Sequence, residues 1–376
     1  MSTLNVDNLK TLSGNGIDAE IVSIGGGHLS NRNIIINGAM TVSQRATSGS
    51  FTGGGNIYPA LDRFKAIANS SMTVNTTISQ TADSPDGLGY CLKVLVNASQ
   101  TPTGSENFTI RYSGEEQDIK RFGYGTSACK QATISFSVKS NKTGLYSLQV
   151  YLGNNSPNII VTYTINSANT WERKTITLPT YTTSFTHPSD NARGLMMDFH
   201  LSDGPDDIVS TTGWSTGSTL AKAATGQVNL LDATNNYWQM TNLQFEVGNI
   251  ATSYEHRSFG DELARCQRYF YRITGDSGER VGIGGCCVNS IEFRMNVTFP
   301  VTMRALPTIS GTGTAQMDAA TDSANFNCSA VTIESAPSPP IHSLGLQAVT
   351  SGMVAGQGGN LRFRSNGSSL SFSAEF

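Results

Sequence analysis

Apolar and polar residues alternate strictly through most of the chain. Ile134, Phe136 and Val138 fall two apart, as do Tyr146, Leu148, Val150 and Leu152, then Ile159, Val161, Tyr163 and Ile165, and then Leu195, Met197, Phe199 and Leu201. Successive side chains on a strand point to opposite faces, so each run predicts a strand with one face buried and one face wet. Turn clusters separate the runs: Ser140-Asn141-Lys142-Thr143-Gly144, Gly153-Asn154-Asn155-Ser156-Pro157 and Asp203-Gly204-Pro205-Asp206-Asp207. These residue types accept the backbone angles that tight turns demand. Several strands with no helical pattern between them predict an antiparallel β-sandwich over residues 31–257.

The period then changes. Phe259, Leu263, Cys266 and Phe270 are spaced four, three and four apart, which sets them in one helical stripe over residues 258–273. Ser258 caps this helix, with Asp261 three residues later, and Asp261 and Glu262 lie at the positive end of its dipole. The stripe fits either the seam of a short coiled coil or a helix packed on the adjacent sandwich. Alternation returns in Ile291, Phe293, Met295, Val297 and Phe299 and closes the chain at Leu370, Phe372, Ala374 and Phe376. Residues 274–376 therefore read as a smaller β-domain whose last strand is buried in a sheet or between subunits. The fold class is all-β, interrupted by one connecting helix.

Residues 1–30 differ from the rest. Their short apolar stretch, Ile17 to Ile24, is bounded by Gly14, Gly16 and Gly25-Gly26-Gly27, too little for a core of its own. Such an arm gains stability by packing on a partner, so it reads as an attachment segment.

Composition narrows the functional classes. Charged residues make up 14% of the 376, against a usual figure of about 25%, and Ser, Thr, Asn and 38 Gly take their place. The net charge of -3, without a Lys/Arg cluster, lacks the electrostatic footprint of nucleic-acid binding. No apolar run reaches the roughly 18 residues of a membrane span, so membrane insertion is not expected. The six cysteines show neither C-x-x-C spacing nor a His at a zinc interval and read as buried free thiols.

Candidate chemistry is sparse. No nucleophile elbow, phosphate loop, zinc signature or EF-hand pattern occurs, and no solenoid repeat is visible, so the chain is not expected to be an enzyme and has no catalytic residue to nominate. Glu255-His256-Arg257 offers a carboxylate beside an imidazole, but a salt-bridged corner between sandwich and helix is the simpler reading. Asp203, Asp206 and Asp207 could supply oxygens to Ca²⁺, the one cofactor with a foothold, but a solvated turn is the simpler reading.

Three stretches resemble a recurrent pattern of tail-fibre and related virion proteins of tailed bacteriophages. The first is Asn31-Arg32-Asn33-Ile34-Ile35-Ile36-Asn37-Gly38-Ala39-Met40, then Gln44-Arg45, then Tyr58-Pro59-Ala60-Leu61-Asp62-Arg63-Phe64. The second runs from Leu243-Gln244-Phe245-Glu246-Val247-Gly248 through Tyr254-Glu255-His256-Arg257-Ser258, and the third is Glu262-Leu263-Ala264-Arg265-Cys266-Gln267-Arg268-Tyr269-Phe270. The closing Phe372-Ser373-Ala374-Glu375-Phe376 is similar more loosely.

The resemblance implies a jelly-roll sandwich like a carbohydrate-binding module, assembled as a homotrimer on the virion. It gives residues 1–30 a partner in a tail, baseplate or collar protein. It also favours an axial trimer seam of Phe259, Leu263, Cys266 and Phe270. A host-surface glycan is the expected ligand, and a purely architectural collar fibre or baseplate decoration is the alternative. Sugars are held by exposed aromatic faces beside amides and carboxylates. Trp214, in a loop of Ser, Thr and Gly, is the first candidate, followed by Tyr181 and Tyr237, whereas Trp171 and Trp238 begin strands and read as core.

Overall fold

The computed structural model describes residues 30–376 apart from 70, 154–155, 211–212, 217–221, 283, 312–316, 322–324 and 335–340. The expected attachment arm lies, except for residue 30, outside the described residues.

The alternating runs become two six-stranded sheets packed face to face. The first has the order β1 (Ser48–Gly53), β4 (Val74–Thr81), β5 (Cys91–Val96), β14 (Tyr237–Val247), β7 (Ala132–Ser140) and β10 (Glu172–Leu178). The second has β2 (Gly55–Ile57), β3 (Phe64–Ala68), β6 (Asn107–Glu115), β11 (Arg193–Asp203), β8 (Gly144–Leu152) and β9 (Asn158–Ile165). Every pair within them is antiparallel, and the pairs β5·β14, β6·β11, β7·β10 and β8·β9 are nested. One long strand pair has been folded over so that successive pairs fall alternately in the first and second sheets. That nesting is a jelly roll.

The inward side chains are those the alternation picked out. Ile134, Phe136 and Val138 meet Leu195, Met197, Phe199 and Leu201 in a single core, all of them fully buried. Phe136 stands edge-on to Phe199, 5.4 Å away at 87°, and Trp238 is sealed inside, its indole N–H donating to Tyr163 at 3.2 Å. A short helix, α1 (Glu116–Ile119), follows β6, and a strap over the outer face of the second sheet carries the short parallel pair β12 (Ile208–Val209) and β13 (Ala223–Ala224).

The connecting helix, α2, is shorter than the spacing predicts. It spans Phe259–Gln267, capped by the Ser258 hydroxyl, which accepts the Asp261 N–H at 3.2 Å. Phe270 instead opens β15 (Phe270–Gly275), which pairs with β24 (Ser368–Ser373). Pairing with a strand about a hundred residues away overrides the local continuation of the helix.

The C-terminal region is a second β-structure. β18 (Thr308–Ser310) joins β24 and β15 in a three-stranded sheet. A seven-stranded sheet has the order β20 (Asn325–Asn327), β19 (Met317–Thr321), β23 (Gly358–Phe363), β16 (Gly285–Asn289), β17 (Glu292–Thr298), β22 (Ser343–Val349) and β21 (Ala330–Ile333). Phe293, Met295, Val297, Leu370 and Phe372 share its core, as their period-two spacing requires.

Candidate functional site

The phage-like stretches meet in space at the joint between the two β-structures. Asn37 takes a left-handed backbone, φ 63°, and its amide donates to the carbonyls of Val42 and Asp62 at 2.8 and 2.9 Å. Gly38 follows because a Cβ there would stand 2.2 Å from the Leu243 carbonyl oxygen, at a bulge in β14. Residues 33–38 therefore lie directly on that strand, with Asn33 donating to the Leu243 carbonyl and accepting the Phe245 N–H, both at 3.1 Å.

Arg63 is wholly buried, pairs with Glu375, and stands with its guanidinium 3.3 Å over the Tyr269 ring. Its φ of 74° is a strained value for a residue with a side chain, maintained by this network. Arg45 bridges Asp62 and Glu375 at 3.1 and 3.4 Å and covers Phe270 at 3.6 Å. Burial pushes the Asp62 carboxyl up to about 6, against the opposing pull of Arg45 and Gln44. From the third stretch, Arg268 binds both Glu115 oxygens at 2.6 and 2.7 Å, and the Tyr269 hydroxyl donates to the same carboxylate at 2.6 Å. The motif residues thus build an ionic joint.

The helical stripe serves that joint too. Cys266 is buried against Ile36, Val42 and Tyr269, with Leu263 packed on the same cluster, and Phe270 is buried under Arg45. Of the expected axial seam, only Phe259 remains exposed, at 60%. Cys266 and Phe270 fill a gap within one chain and are not free to meet symmetry mates, while Leu263 is half-buried.

The aromatic candidates divide between two places. Trp214 is half-buried at one end of the sandwich, where its indole donates to the Pro179 carbonyl at 3.0 Å. Tyr181 lies 5.4 Å away and Tyr124 5.7 Å away, so the loop tryptophan does find a core to enter. Tyr181 is itself buried, which removes it from the surface. Phe185 and a depression of about 470 Å³ lined by Ser156, Phe185, Thr186 and Pro188 adjoin this corner.

Tyr237 lies elsewhere, on the outer face of the first sheet, a face it shares with Trp171. The latter stands one residue ahead of edge strand β10 and is half-buried outside the core, not within it as its position led us to expect. One carboxylate organises this face. Asp83 accepts the Trp171 indole N–H at 3.0 Å and the Gln239 amide at 2.9 Å, and it pairs with Lys139. These donors hold its carboxyl below the ordinary range although desolvation opposes them. Tyr237 donates to Asn169 at 2.6 Å, Lys93 lies 5.2 Å from its ring centre, and Lys139 lies 5.1 Å from that of Trp171. Two strand spacings and two residues of rise set the ring-bearing positions about 12 Å apart. Both rings are half-buried and fixed by their polar ends.

No protein-family model matches the chain. No curated protein matches it either. Among solved structures it is similar to the enzymatically active domain of tailspike protein 4 of bacteriophage CBA120, at 13% identity over 57% of this chain and 21% of that one, TM-score 0.29. It therefore spans about a fifth of that tailspike chain. It is also similar to a family 11 carbohydrate-binding module of Clostridium thermocellum in complex with a mixed-linked tetrasaccharide, at 12% identity over 56% and 100%, TM-score 0.28. A third is the C-terminal family 22 module of the xylanase Xyn10B of that organism, at 9% identity over 59% and 99%, TM-score 0.28. At these scores none of the three decides fold or function, and the jelly roll stands on the strand nesting.

The carboxylates expected to hold Ca²⁺ do not converge. Asp206 faces solvent, Asp203 contacts the His200 imidazole at 2.7 Å, and Asp207 is paired with Lys222 at 2.8 Å. Among the described residues no three His, Cys, Asp or Glu side chains group as metal ligands. β11 shifts register between His200 and Ser202, Asp203 lies beside His200, and the Lys222 ammonium supplies Asp207 with the charge an ion would have brought. The Glu255–His256 dyad does not form: Glu255 accepts the Asn33 N–H at 2.9 Å, Arg257 binds the Asn33 and Ile35 carbonyls, and His256 is exposed beside Tyr254. Cys286 is exposed, against expectation, although all six cysteines are free.

The strap's ion pair makes a pH prediction. Burial, opposed by Lys222, raises the Asp207 carboxyl above its ordinary value. The folded state therefore holds that proton more tightly than the unfolded chain, and the cost of ionised Asp207 is relieved as pH falls through the raised value. Lys222→Ala is expected to cost about 1–3 kcal/mol at neutral pH by leaving a buried carboxylate unpaired. Urea titrations should show that deficit shrinking as pH is lowered; a deficit independent of pH would remove Asp207 as its cause.

Proposed function

We propose that the chain is a non-enzymatic structural protein of a tailed-phage fibre, working as a homotrimer and binding a host-surface glycan. The phage-like stretches support the virion role, and residues 1–30 are its attachment to a tail, baseplate or collar protein. The observation that carries glycan binding is the Trp171–Tyr237 face: two half-buried rings on the outer side of the sheet, beside the Asn169 amide and the Asp83 carboxylate. Pyranose C–H faces stack on such rings while hydroxyls find fixed partners. Three weak sites on one trimer bind a polymer with useful avidity, because the linked sites act at high effective concentration.

One observation favours the purely architectural alternative, since the motif residues go into an ionic joint and not into a surface. Binding separates the two readings. The purified protein is expected to behave in light scattering as three times the 40.1 kDa chain and to adsorb to susceptible cells or their polysaccharide. Trp171→Ala combined with Tyr237→Ala should lower that adsorption at least tenfold, at about 1–3 kcal/mol per lost stacking group, without changing the oligomer. Adsorption that survives the double variant would remove the face as the site, and no adsorption to any host leaves the architectural reading.

A further inference from the structure

We infer that the ligand of the Trp171–Tyr237 face is an acidic polysaccharide, one whose pyranose rings carry carboxylates. The inference rests on the glycan-binding reading above and concerns the charge of the ligand. The strand register aligns Lys93, Gln239 and Lys139 in one row across β5, β14 and β7, with Trp171 at its end. Arg173 projects from the same face one row further on, opposite Ser137.

Three cations therefore share this face of a protein whose net charge is -3. Lys139 is neutralised by Asp83. Among the described residues Arg173 binds only neutral oxygens, those of Ser135 and the Thr252 carbonyl, at 3.0 and 2.8 Å. Lys93 has no carboxylate partner among the described residues and rests against Tyr237. The other acid of the overlying loop, Asp86, is bonded to the Ser84 hydroxyl and the Leu88 N–H. Glu246, further along β14, is buried and satisfied by Gln244 and Thr252. The Lys93 ammonium stands over the half-buried Tyr237 ring with no carboxylate to hold it there, which suits a sugar ring with an acid substituent: its carboxylate draws the ammonium off the ring, and the sugar packs against Tyr237. A neutral glycan would leave that ammonium unused.

The test compares polygalacturonate with its methyl ester, which keeps the sugar backbone and masks the charge. Wild-type protein is expected to bind the acid form more tightly and to lose that preference as salt rises. Lys93→Gln should weaken binding of the acid form about two- to fivefold and leave the ester unchanged, as suits one exposed ion pair. A melting curve on Lys93→Gln confirms that the fold is intact, since the side chain is only half-buried. Equal binding of both polymers, unaffected by Lys93→Gln but lost in Trp171→Ala, would overturn the charge inference while the glycan site stands. Binding of neither polymer, with adsorption to cells lost in Trp171→Ala, would also overturn it. Insensitivity of all adsorption to Trp171→Ala would instead remove the site.

Discussion

Glu375→Ala is expected to destabilise the protein by about 3–5 kcal/mol and to loosen the C-terminal β-structure from the sandwich, because it strips a buried arginine of its counter-charge. Arg63 is completely buried and Glu375 nearly so. The variant would leave the Arg63 guanidinium with the Ser113 carbonyl and the Tyr269 ring, and would cost Arg45 the second of its two carboxylates. Neither can replace an ionised partner in a site closed to water. Glu375→Gln, which keeps the shape and one acceptor oxygen, should lose less. Equilibrium urea unfolding gives the free energy, and limited proteolysis gives the location, with cleavage appearing first in residues 270–376. A loss below about 1 kcal/mol would place the pair among ordinary surface bridges and deny it a role in the joint.

Gly38→Ala is the second large effect, expected at about 1–3 kcal/mol and near the top of that range, because the obstruction is backbone. The new Cβ would meet the Leu243 carbonyl oxygen at 2.2 Å, and that residue also donates its N–H to the Gly38 carbonyl at 3.0 Å. Relief means moving the β14 bulge, and with it Asn33 and the entry of residues 33–38 into the joint. Gly213→Ala is the control: among the described residues nothing lies within 4 Å of its added Cβ, and a change within about 0.5 kcal/mol is expected. Melting temperatures of the two variants suffice. Similar values for both would mean that residues 33–38 can lift from β14 at little cost.

Both predictions concern residues whose types stand out in the sequence but whose purpose does not. Gly38, Arg63 and the Arg268-Tyr269 pair belong to the phage-like stretches, and the partners named for them above, Leu243, Ser113, Glu375 and Glu115, lie 50 to 312 residues away. A single sequence shows that such residues are present; which residue satisfies each depends on chain closure. Trp214 and Trp171 illustrate the opposite error. A tryptophan among Ser, Thr and Gly looks exposed, yet Tyr124 and Tyr181 receive it. A tryptophan opening a strand looks buried, yet at the edge of the sheet it turns outward to Asp83 and keeps a wet face.

By itself the sequence determined the all-β class, the inward faces of the strands from Ile134 to Leu201 and the start of α2 at Ser258. Those features follow from side-chain direction along a strand and from groups within one helical turn, so the information is local. Only the tertiary structure decided the nesting of the jelly roll, the end of the helix at Gln267, the use of Cys266 and Phe270 within one chain, and the meeting of Lys93, Asp83, Trp171 and Tyr237 on one face. Each of these is set by hydrogen-bond and charge partners far apart along the chain, and alternation at period two says which way a side chain points without saying what it will face.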